Sequence, residues 1–216
     1  MKFRFTIGRR IGLGFTIFIL LTMVAFILTI VTLIDSKSRT QTVVGQVTPS
    51  VAELKELNLM LQRSHTDVSK WFYNNSFSDL DFRKELKSII RDEYPRQKAA
   101  LKKLSEPWKD EEKKQLKEIF DRIETLFGVY ENDIMNQLAT PAAYEDPNIV
   151  MIARLPFEDS EISIKKIYGR LNELITSKQS LAEEEKEHML HSINVLNAVV
   201  IWLGIILVIG GVLIAI

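Results

Sequence analysis

The stretch that decides the fold is Glu158–Ile216, which reads EDSEISIKKIYGRLNELITSKQSLAEEEKEHMLHSINVLNAVVIWLGIILVIGGVLIAI. Between Ser163 and Ser192 it contains no proline, and its apolar residues recur every three or four positions, as in an amphipathic helix. The run 193–216 then holds 24 residues without a charge. At about 1.5 Å per residue, such a helix can cross a hydrocarbon core of about 30 Å. The sequence therefore predicts one helix that continues from a polar domain into a transmembrane helix at 195–216.

A second uncharged run, 11–34, predicts another transmembrane helix near the N-terminus. The residues before it include four basic side chains and no acidic one: Lys2, Arg4, Arg9 and Arg10. The run is too long for a signal peptide and is not followed by a small-residue cleavage site, so we expect an uncleaved anchor. The positive-inside rule then keeps residues 1–10 in the cytoplasm and places residues 35–194 outside it.

The composition of the segment 35–194 excludes several classes of protein. All 28 acidic residues lie in it, but only 24 of the 28 basic ones, so its formal net charge is −4. This balance argues against a nucleic-acid partner, which requires a basic surface. The chain contains no cysteine. A domain held together by disulfides or by zinc–cysteine sites is therefore excluded.

Four amphipathic helices are expected between the spans. Their predicted bounds are Pro49–Asn75, Ser78–Leu104, a third helix from Ser105-Glu106-Pro107 to about Leu138, and a fourth from Glu158. The first two are of equal length, which suits neighbours in a bundle. We therefore predict an all-α fold, an antiparallel up-down-up-down four-helix bundle between two transmembrane helices.

Prolines predict where these helices are interrupted. We expect Thr48 to cap a fresh helix that starts at Pro49, and Pro95 to cause a kink or a short break. The segment 139–157 contains three prolines, and we expect it to be irregular and to lie with the Asn74 turn at the membrane-distal end of the bundle.

The layout resembles the four-helix-bundle sensory module of bacterial methyl-accepting chemotaxis receptors and related transmembrane sensor histidine kinases. The local matches are Ile7-Gly8-Arg9-Arg10-Ile11-Gly12-Leu13-Gly14-Phe15 at the first span and Pro49-Ser50-Val51 with Leu54 at the first bundle helix. The resemblance implies a homodimer in the bacterial inner membrane and a signal, a small molecule or a periplasmic protein, relayed through the second span. It also implies a cytoplasmic output domain with a HAMP-type linker, which this sequence does not include.

Aromatic residues beside one arginine form the candidate ligand site. Trp71, Tyr73, Tyr144 and Arg154, with Phe72, Phe77 and Phe157 nearby, could hold a small anionic or aromatic ligand, because arginine binds carboxylates through two parallel hydrogen bonds. The alternative interpretation is that these aromatic side chains close the end of the bundle and bind nothing.

No pattern of residues predicts catalysis or a cofactor. Glu185, His188 and His191 have helical metal-ligand spacing, but the remaining histidine, His65, is expected about 30 Å away along the bundle. We therefore expect no metal site. The acidic residues have no matched base or nucleophile, so we expect no enzyme activity within these residues.

Small residues in the second span form a candidate helix-packing face. Gly204 and Gly211 are one heptad apart, and Ala215 follows Gly211 at the fourth position. Two hypotheses on function remain. The chain is either a sensory input module or a membrane-anchored scaffold whose bundle docks a partner without relaying a signal.

Overall fold

Every regular element in the described part of the chain is helical, which confirms the all-α prediction. The computed structural model describes residues 7–74 and 81–215, with side-chain surroundings for 8, 12, 14–74, 81–210 and 212. Its α-helices are α1 (Ile7–Thr42), α2 (Thr48–Tyr73), α3 (Asp81–Ser88), α4 (Tyr94–Leu104), α5 (Asp110–Val129), α6 (Pro141–Glu145) and α7 (Pro147–Ala215). Wider π-helical segments are Val43–Val47, Ile89–Glu93 and Tyr130–Met135. The chain divides into two compact units, residues 46–181 and residues 1–45 with 182–216.

The interruptions predicted at Pro49 and Pro95 take the form of π-helical turns. Proline has no N–H, and its ring collides with the carbonyl four residues earlier. In both places the turn before the proline widens, and the Tyr94 N–H bonds to the Ile89 carbonyl, five residues back. The prediction that Thr48 caps a fresh helix is wrong. The preceding residue, Val47, is itself helical, and no side chain caps this end of α2.

The third predicted helix begins later than expected. It was expected at Ser105-Glu106-Pro107, but α5 begins at Asp110 after an extended Lys109 with φ −62° and ψ 148°. The Lys109 N–H donates to the Glu112 carboxylate over 3.1 Å. The intervening turn buries Trp108, which is 6% exposed. Burial of this large ring requires the chain to turn before the helix can start.

The prediction that residues 139–157 are irregular is wrong. This segment contains α6 and the start of α7. Pro141 and Pro147 each occupy a first helical position, where the missing N–H has no intrahelical partner to lose. Asp146 accepts a hydrogen bond from the Asn148 N–H over 2.9 Å and so caps α7. Pro156 is accommodated inside that helix.

Residues 46–181 share one apolar core. Of the side chains that the helical spacing predicts to face inward from α2, Leu54, Leu61 and Val68 have 0% exposure and Phe72 is buried, whereas Val51, Asn58 and His65 are only partly buried. The helices α3, α4, α5 and α7 contribute the facing side chains, among them Leu86, Leu101, Ile123 and Leu171. The spacing of apolar residues therefore identified most of the buried side chains correctly.

The other unit contains two helical segments that are long and apolar enough to span a membrane. In the described residues these candidate spans lie within Gly14–Tyr73 and Pro147–Gly210, and their most apolar windows are not buried inside the protein. Large apolar side chains such as Phe26 and Trp202 are 66% and 64% exposed. Such exposure is unfavourable in water and is expected where lipid surrounds a helix. These features are consistent with a two-pass membrane protein.

Candidate functional site

Trp71, Arg83 and Tyr144 form a buried group that we call the Trp71 cluster. The Trp71 ring N–H donates to the Leu138 carbonyl over 3.1 Å. The Arg83 guanidinium carbon lies 4.5 Å from the centroid of the Trp71 ring, and Arg83 donates to the Tyr144 hydroxyl over 3.0 Å. Tyr144 in turn donates to the Trp71 backbone carbonyl. The cluster therefore joins the last turn of α2 to α3 and α6.

The arginine in this cluster is Arg83, which the sequence analysis did not single out. Arg154, the predicted arginine, is exposed on α7 and makes no hydrogen bond or ion pair within the described residues. Arg83 is 6% exposed. A signal for it was present, because position 83 lies three residues before Leu86 and adjoins Phe82, both on the buried face of α3.

Tyr73 lies in a separate aromatic group. The rings of Phe72 and Phe157 stack with centroids 4.4 Å apart and an interplanar angle of 2°. The Tyr73 ring packs edge-on against both, at 5.0 and 5.5 Å, and the Tyr73 side chain remains 75% exposed. Phe77 lies outside the described residues. The structure thus brings Trp71 and Tyr144 together, while Tyr73 and Arg154 lie apart from them.

A concave surface of about 460 Å³, which we call the lysine groove, adjoins the Trp71 cluster. Its cationic side is formed by Arg83, Lys84, Lys87 and Arg91, and the other side chains that line it are Trp71, Glu131, Asn132, Met135, Asn136 and Ala139. Among the described residues that line it, four cationic side chains face one carboxylate. The electrostatic potential of such a surface attracts anions.

Some of the charged side chains along the lysine groove form salt bridges and others do not. Arg91 and Glu131 form a salt bridge of 3.0 Å. The Lys87 ammonium lies 5.7 Å from the centroid of the Trp71 ring. Among the described residues, neither Lys84 nor Lys87 forms a salt bridge with a carboxylate. Both side chains are exposed and can therefore reach a bound anion.

A second buried tryptophan lies near the other end of α2, in what we call the Trp108 cluster. The Trp108 ring N–H donates to the Ser50 hydroxyl over 3.3 Å. The Lys178 ammonium, which belongs to α7, lies 4.1 Å from the centroid of the Trp108 ring. It also forms a salt bridge of 2.7 Å with Glu112. This cluster holds α7 against α5 and against the start of α2.

Burial shifts the titration of one group in each cluster. It raises the pKa of the Tyr144 phenol, and the neighbouring Arg83 opposes that shift. Tyr144 is therefore a neutral hydrogen-bond donor at physiological pH. Burial lowers the pKa of the Lys178 ammonium, while its hydrogen bond to Glu112 works in the opposite direction.

Two partly buried polar residues of α2, Asn58 and His65, have partners on α7. His65 Nε2 lies 3.3 Å from Glu161 Oε1, and the Asn58 amide donates to Asn172 over 3.2 Å. Within the described residues, no three His, Cys, Asp or Glu side chains are grouped so that they could hold a metal ion. The contacts of Asn58 and His65 are of the kind that fixes the register between two helices.

The predicted packing face of the second span is described only in part. Gly204 lies in α7, and apart from its chain neighbours and the adjacent backbone of the helix, no atom lies within 4 Å of the position that a Cβ would occupy there. The surroundings of Gly211 and Ala215 lie outside the described residues. Contact of this face with a second copy of the chain stays a prediction.

No protein-family model, curated protein or solved structure shows a significant match to this chain.

Proposed function

We propose that this chain is the input module of a bacterial transmembrane signal receptor, of the chemoreceptor or sensor histidine kinase type. In this proposal residues 35–194 lie outside the cytoplasm as an antiparallel four-helix bundle, and the module works as a homodimer in the inner membrane. An extracytoplasmic stimulus at the bundle changes the state of the second span, and the span passes that change to a cytoplasmic output domain.

The observation that carries the proposal is the extent of α7, which is helical from Pro147 to Ala215. Its first part supplies buried side chains such as Ile164 and Leu171. Its last part contains residues 193–215 of the uncharged run. Between residues 183 and 195, where a break would prevent mechanical transmission, the helix is uninterrupted. The backbone hydrogen bonds of a helix make it stiff along its axis.

The order of contacts between helices supports the antiparallel bundle. Residues further along α2 contact residues earlier on α7: Asn58 with Asn172, His65 with Glu161, and Phe72 with Phe157. Other neighbouring segments also run in opposite directions. Between α2 and the segment 81–104, Glu53 contacts Gln97 and Arg63 contacts Glu85. Between that segment and residues 110–135, Arg91 contacts Glu131 and Lys98 contacts Glu124. Opposite directions of neighbouring segments are what an up-down-up-down bundle requires.

Such a module relays a signal by changing the equilibrium between two conformations that differ in free energy. A ligand shifts the equilibrium only if it binds one conformation more tightly than the other. The expected displacement of α7 relative to α2 is about 1–2 Å along the axis, or a small rotation. A change of this size can occur without unfolding the bundle.

The alternative is a membrane-anchored scaffold protein that docks a partner and relays nothing. One observation favours it, a row of exposed apolar side chains on α7. Met151, Leu155 and Ile162 are 74%, 65% and 55% exposed and lie on one helical face. Exposed apolar surfaces of this kind often mark sites of protein contact.

A crosslinking experiment on a chimeric receptor separates the two functions. Residues 1–216 are fused to a kinase output domain, and Asn58→Cys and Asn172→Cys are introduced together, the only thiols in these residues. A short thiol crosslinker then joins α2 to α7. A relay module should show at least a several-fold change of kinase activity on crosslinking, whereas the matched single variant Asn58→Cys should not respond to the reagent. Kinase activity that is identical before and after complete crosslinking supports the scaffold.

A further inference from the structure

The acidic residues closest in sequence to the groove's cations do not face the groove. Glu85 and Glu93 lie one or two residues from Lys84, Lys87 and Arg91, and residues at these spacings lie on different faces of a helix. Both form salt bridges with Arg63, at 3.4 and 2.7 Å. Glu85 and Glu93 therefore do not neutralise the cations that line the groove. Mutual repulsion of like charges is relieved when an anion binds between them.

The positive charges of the groove form a row along α3 and the π-helical turn that follows it. Lys84 and Lys87 are three residues apart, and Arg91 follows four residues after Lys87. Side chains at these spacings are neighbours about 5–6 Å apart on a helix face. Arg91 uses its Nε–H on Glu131 and keeps further guanidinium N–H donors. An anion with two separated charges can contact this row at more than one point.

The opposite side of the groove offers two neutral donors beside one carboxylate, Glu131, which is paired with Arg91. Asn132 and Asn136 both line it, and neither side-chain amide makes a hydrogen bond within the described residues. Each amide has two N–H donors. The groove's volume of about 460 Å³ falls within the range typical of small-molecule sites.

A second lysine-lined depression of about 510 Å³ shows that basic residues alone do not produce this arrangement. Four lysines line it. Lys98, Lys113 and Lys117 form salt bridges with Glu124, Asp110 and Asp121 respectively, and Lys102 forms none with a described residue. Most of its positive charge is therefore paired within the protein, whereas neither Lys84 nor Lys87 forms a salt bridge with a described residue. This depression provides a matched control.

We propose that the lysine groove binds a small anion with at least two negative charges, held by Lys84, Lys87 and Arg91. This inference rests on the proposed function, because the anion would be the extracytoplasmic stimulus. Such an anion is a polycarboxylate or a phosphate compound. Both kinds offer several oxygen acceptors to ammonium and guanidinium groups.

The test is titration calorimetry on the full chain in detergent micelles at low ionic strength. Citrate and pyrophosphate are the divalent or higher probes, and acetate at matched ionic strength is the monovalent control. Binding of citrate alone identifies a polycarboxylate site, and binding of pyrophosphate alone identifies a phosphate site. Binding of both probes indicates that the site recognises the number of negative charges rather than the kind of anion. The proposal is overturned if neither binds, or if acetate binds as tightly.

Paired variants locate the site. Lys84→Gln with Lys87→Gln should weaken binding about tenfold, because two charge-assisted contacts are lost. Lys113→Gln with Lys117→Gln removes the same charge from the control depression and should change affinity less than about twofold. Equal weakening in both double variants would show that binding is non-specific. Lys84→Arg with Lys87→Arg should retain binding, and far-ultraviolet circular dichroism checks that every variant is folded.

Failure of this inference is distinguishable from failure of the receptor proposal. Anion binding is measured on the isolated chain, whereas relay is measured as kinase activity of the chimera. Binding without any response of the crosslinked chimera would leave the groove as an anion site and refute the relay. A relay that responds to crosslinking in a chain that binds no anion would refute the groove.

Discussion

A buried tryptophan packs against a cation near each end of α2: Trp108 with Lys178, and Trp71 with Arg83. The two sites differ in what surrounds that cation. At the Trp108 cluster, Lys178 is 3% exposed and forms its salt bridge with Glu112 inside the protein. At the Trp71 cluster, Arg83 adjoins a groove in which Lys84 and Lys87 form no salt bridge with a described residue. The first site balances its charge internally, and the second presents positive charge to solvent. We infer that the first holds helices together and that the second is available for binding.

Removal of a charged side chain should therefore affect the stability of the protein differently at the two clusters. A buried salt bridge adds little net stability relative to apolar side chains, but removal of one partner leaves an uncompensated buried charge. Exposed charges contribute little to stability and much to the attraction of ligands. Substitutions at the Trp108 cluster should therefore alter folding, and substitutions in the lysine groove should alter binding.

Among the substitutions of charged residues, the largest expected effect is that of Glu112→Gln. It leaves the Lys178 ammonium buried without a carboxylate, and we expect the free energy of unfolding to fall by about 3 kcal/mol. Urea titration of the full chain in micelles, followed by tryptophan fluorescence, measures this change. The joint variant Glu112→Leu with Lys178→Met should recover most of the loss, because no charge then remains buried.

The matched control on the same helix is Asp121→Asn. Asp121 pairs with Lys117 at the surface, where both side chains are more than half exposed. Such pairs contribute about 0–1 kcal/mol, so this variant should be nearly as stable as the parent. A loss equal to that of Glu112→Gln would contradict the distinction between the buried and the exposed pair.

The next effect in size concerns the geometry of the Trp71 cluster. Arg83→Lys keeps the positive charge but loses the planar guanidinium that covers Trp71 and donates to Tyr144. We expect a loss of about 2 kcal/mol in the free energy of unfolding, measured by the same titration. Arg154→Lys, on the exposed face of α7, should be neutral. If the two variants are equally stable, Arg83 does not organise this end of the bundle.

The spans and the buried faces of the helices could be predicted because each depends on a simple pattern. An uncharged run of sufficient length identifies a candidate span, and three- and four-residue spacing identified Leu54, Leu61 and Val68 as core residues. Proline was less informative. Pro49 and Pro95 were predicted as interruptions, but Pro141 and Pro147 start helices and Pro156 lies within one. Whether a proline breaks a helix depends on its position in the helical turn.

The candidate site was predicted only in part because its arginine lies on a buried face. A hydropathy pattern counts Arg83 as a surface residue, although its guanidinium packs on an aromatic ring and the side chain is buried. The lysine groove also depends on tertiary structure. Glu85 follows Lys84 directly on α3, so the two side chains lie on different faces of the helix, and Glu85 pairs with Arg63 of α2.

A smaller effect is expected from the aromatic group beside the Trp71 cluster. Tyr73→Ala removes a ring that is 75% exposed and makes only edge contacts, so the free energy of unfolding should fall by about 0.5 kcal/mol. Phe157→Ala is the contrasting variant, because this ring is 3% exposed and stacked on Phe72. Its loss should be about 3 kcal/mol. If both variants lose about 3 kcal/mol, Tyr73 is needed for stability. That result would support the alternative interpretation, in which the aromatic side chains close the end of the bundle.

The smallest effect is a pH dependence at the Trp108 cluster. Burial lowers the pKa of Lys178 below its ordinary value of 10.5, so the unfolded chain binds this proton more tightly than the folded chain. Between the lowered pKa and 10.5, stability should therefore rise with pH, by less than about 1 kcal/mol. The variant Glu112→Leu with Lys178→Met lacks this titration and serves as the reference. Urea titrations at several pH values measure the free energy of unfolding of the parent and of this variant. If the parent instead loses stability relative to the variant as the pH approaches 10.5, Glu112 rather than burial dominates the pKa of Lys178.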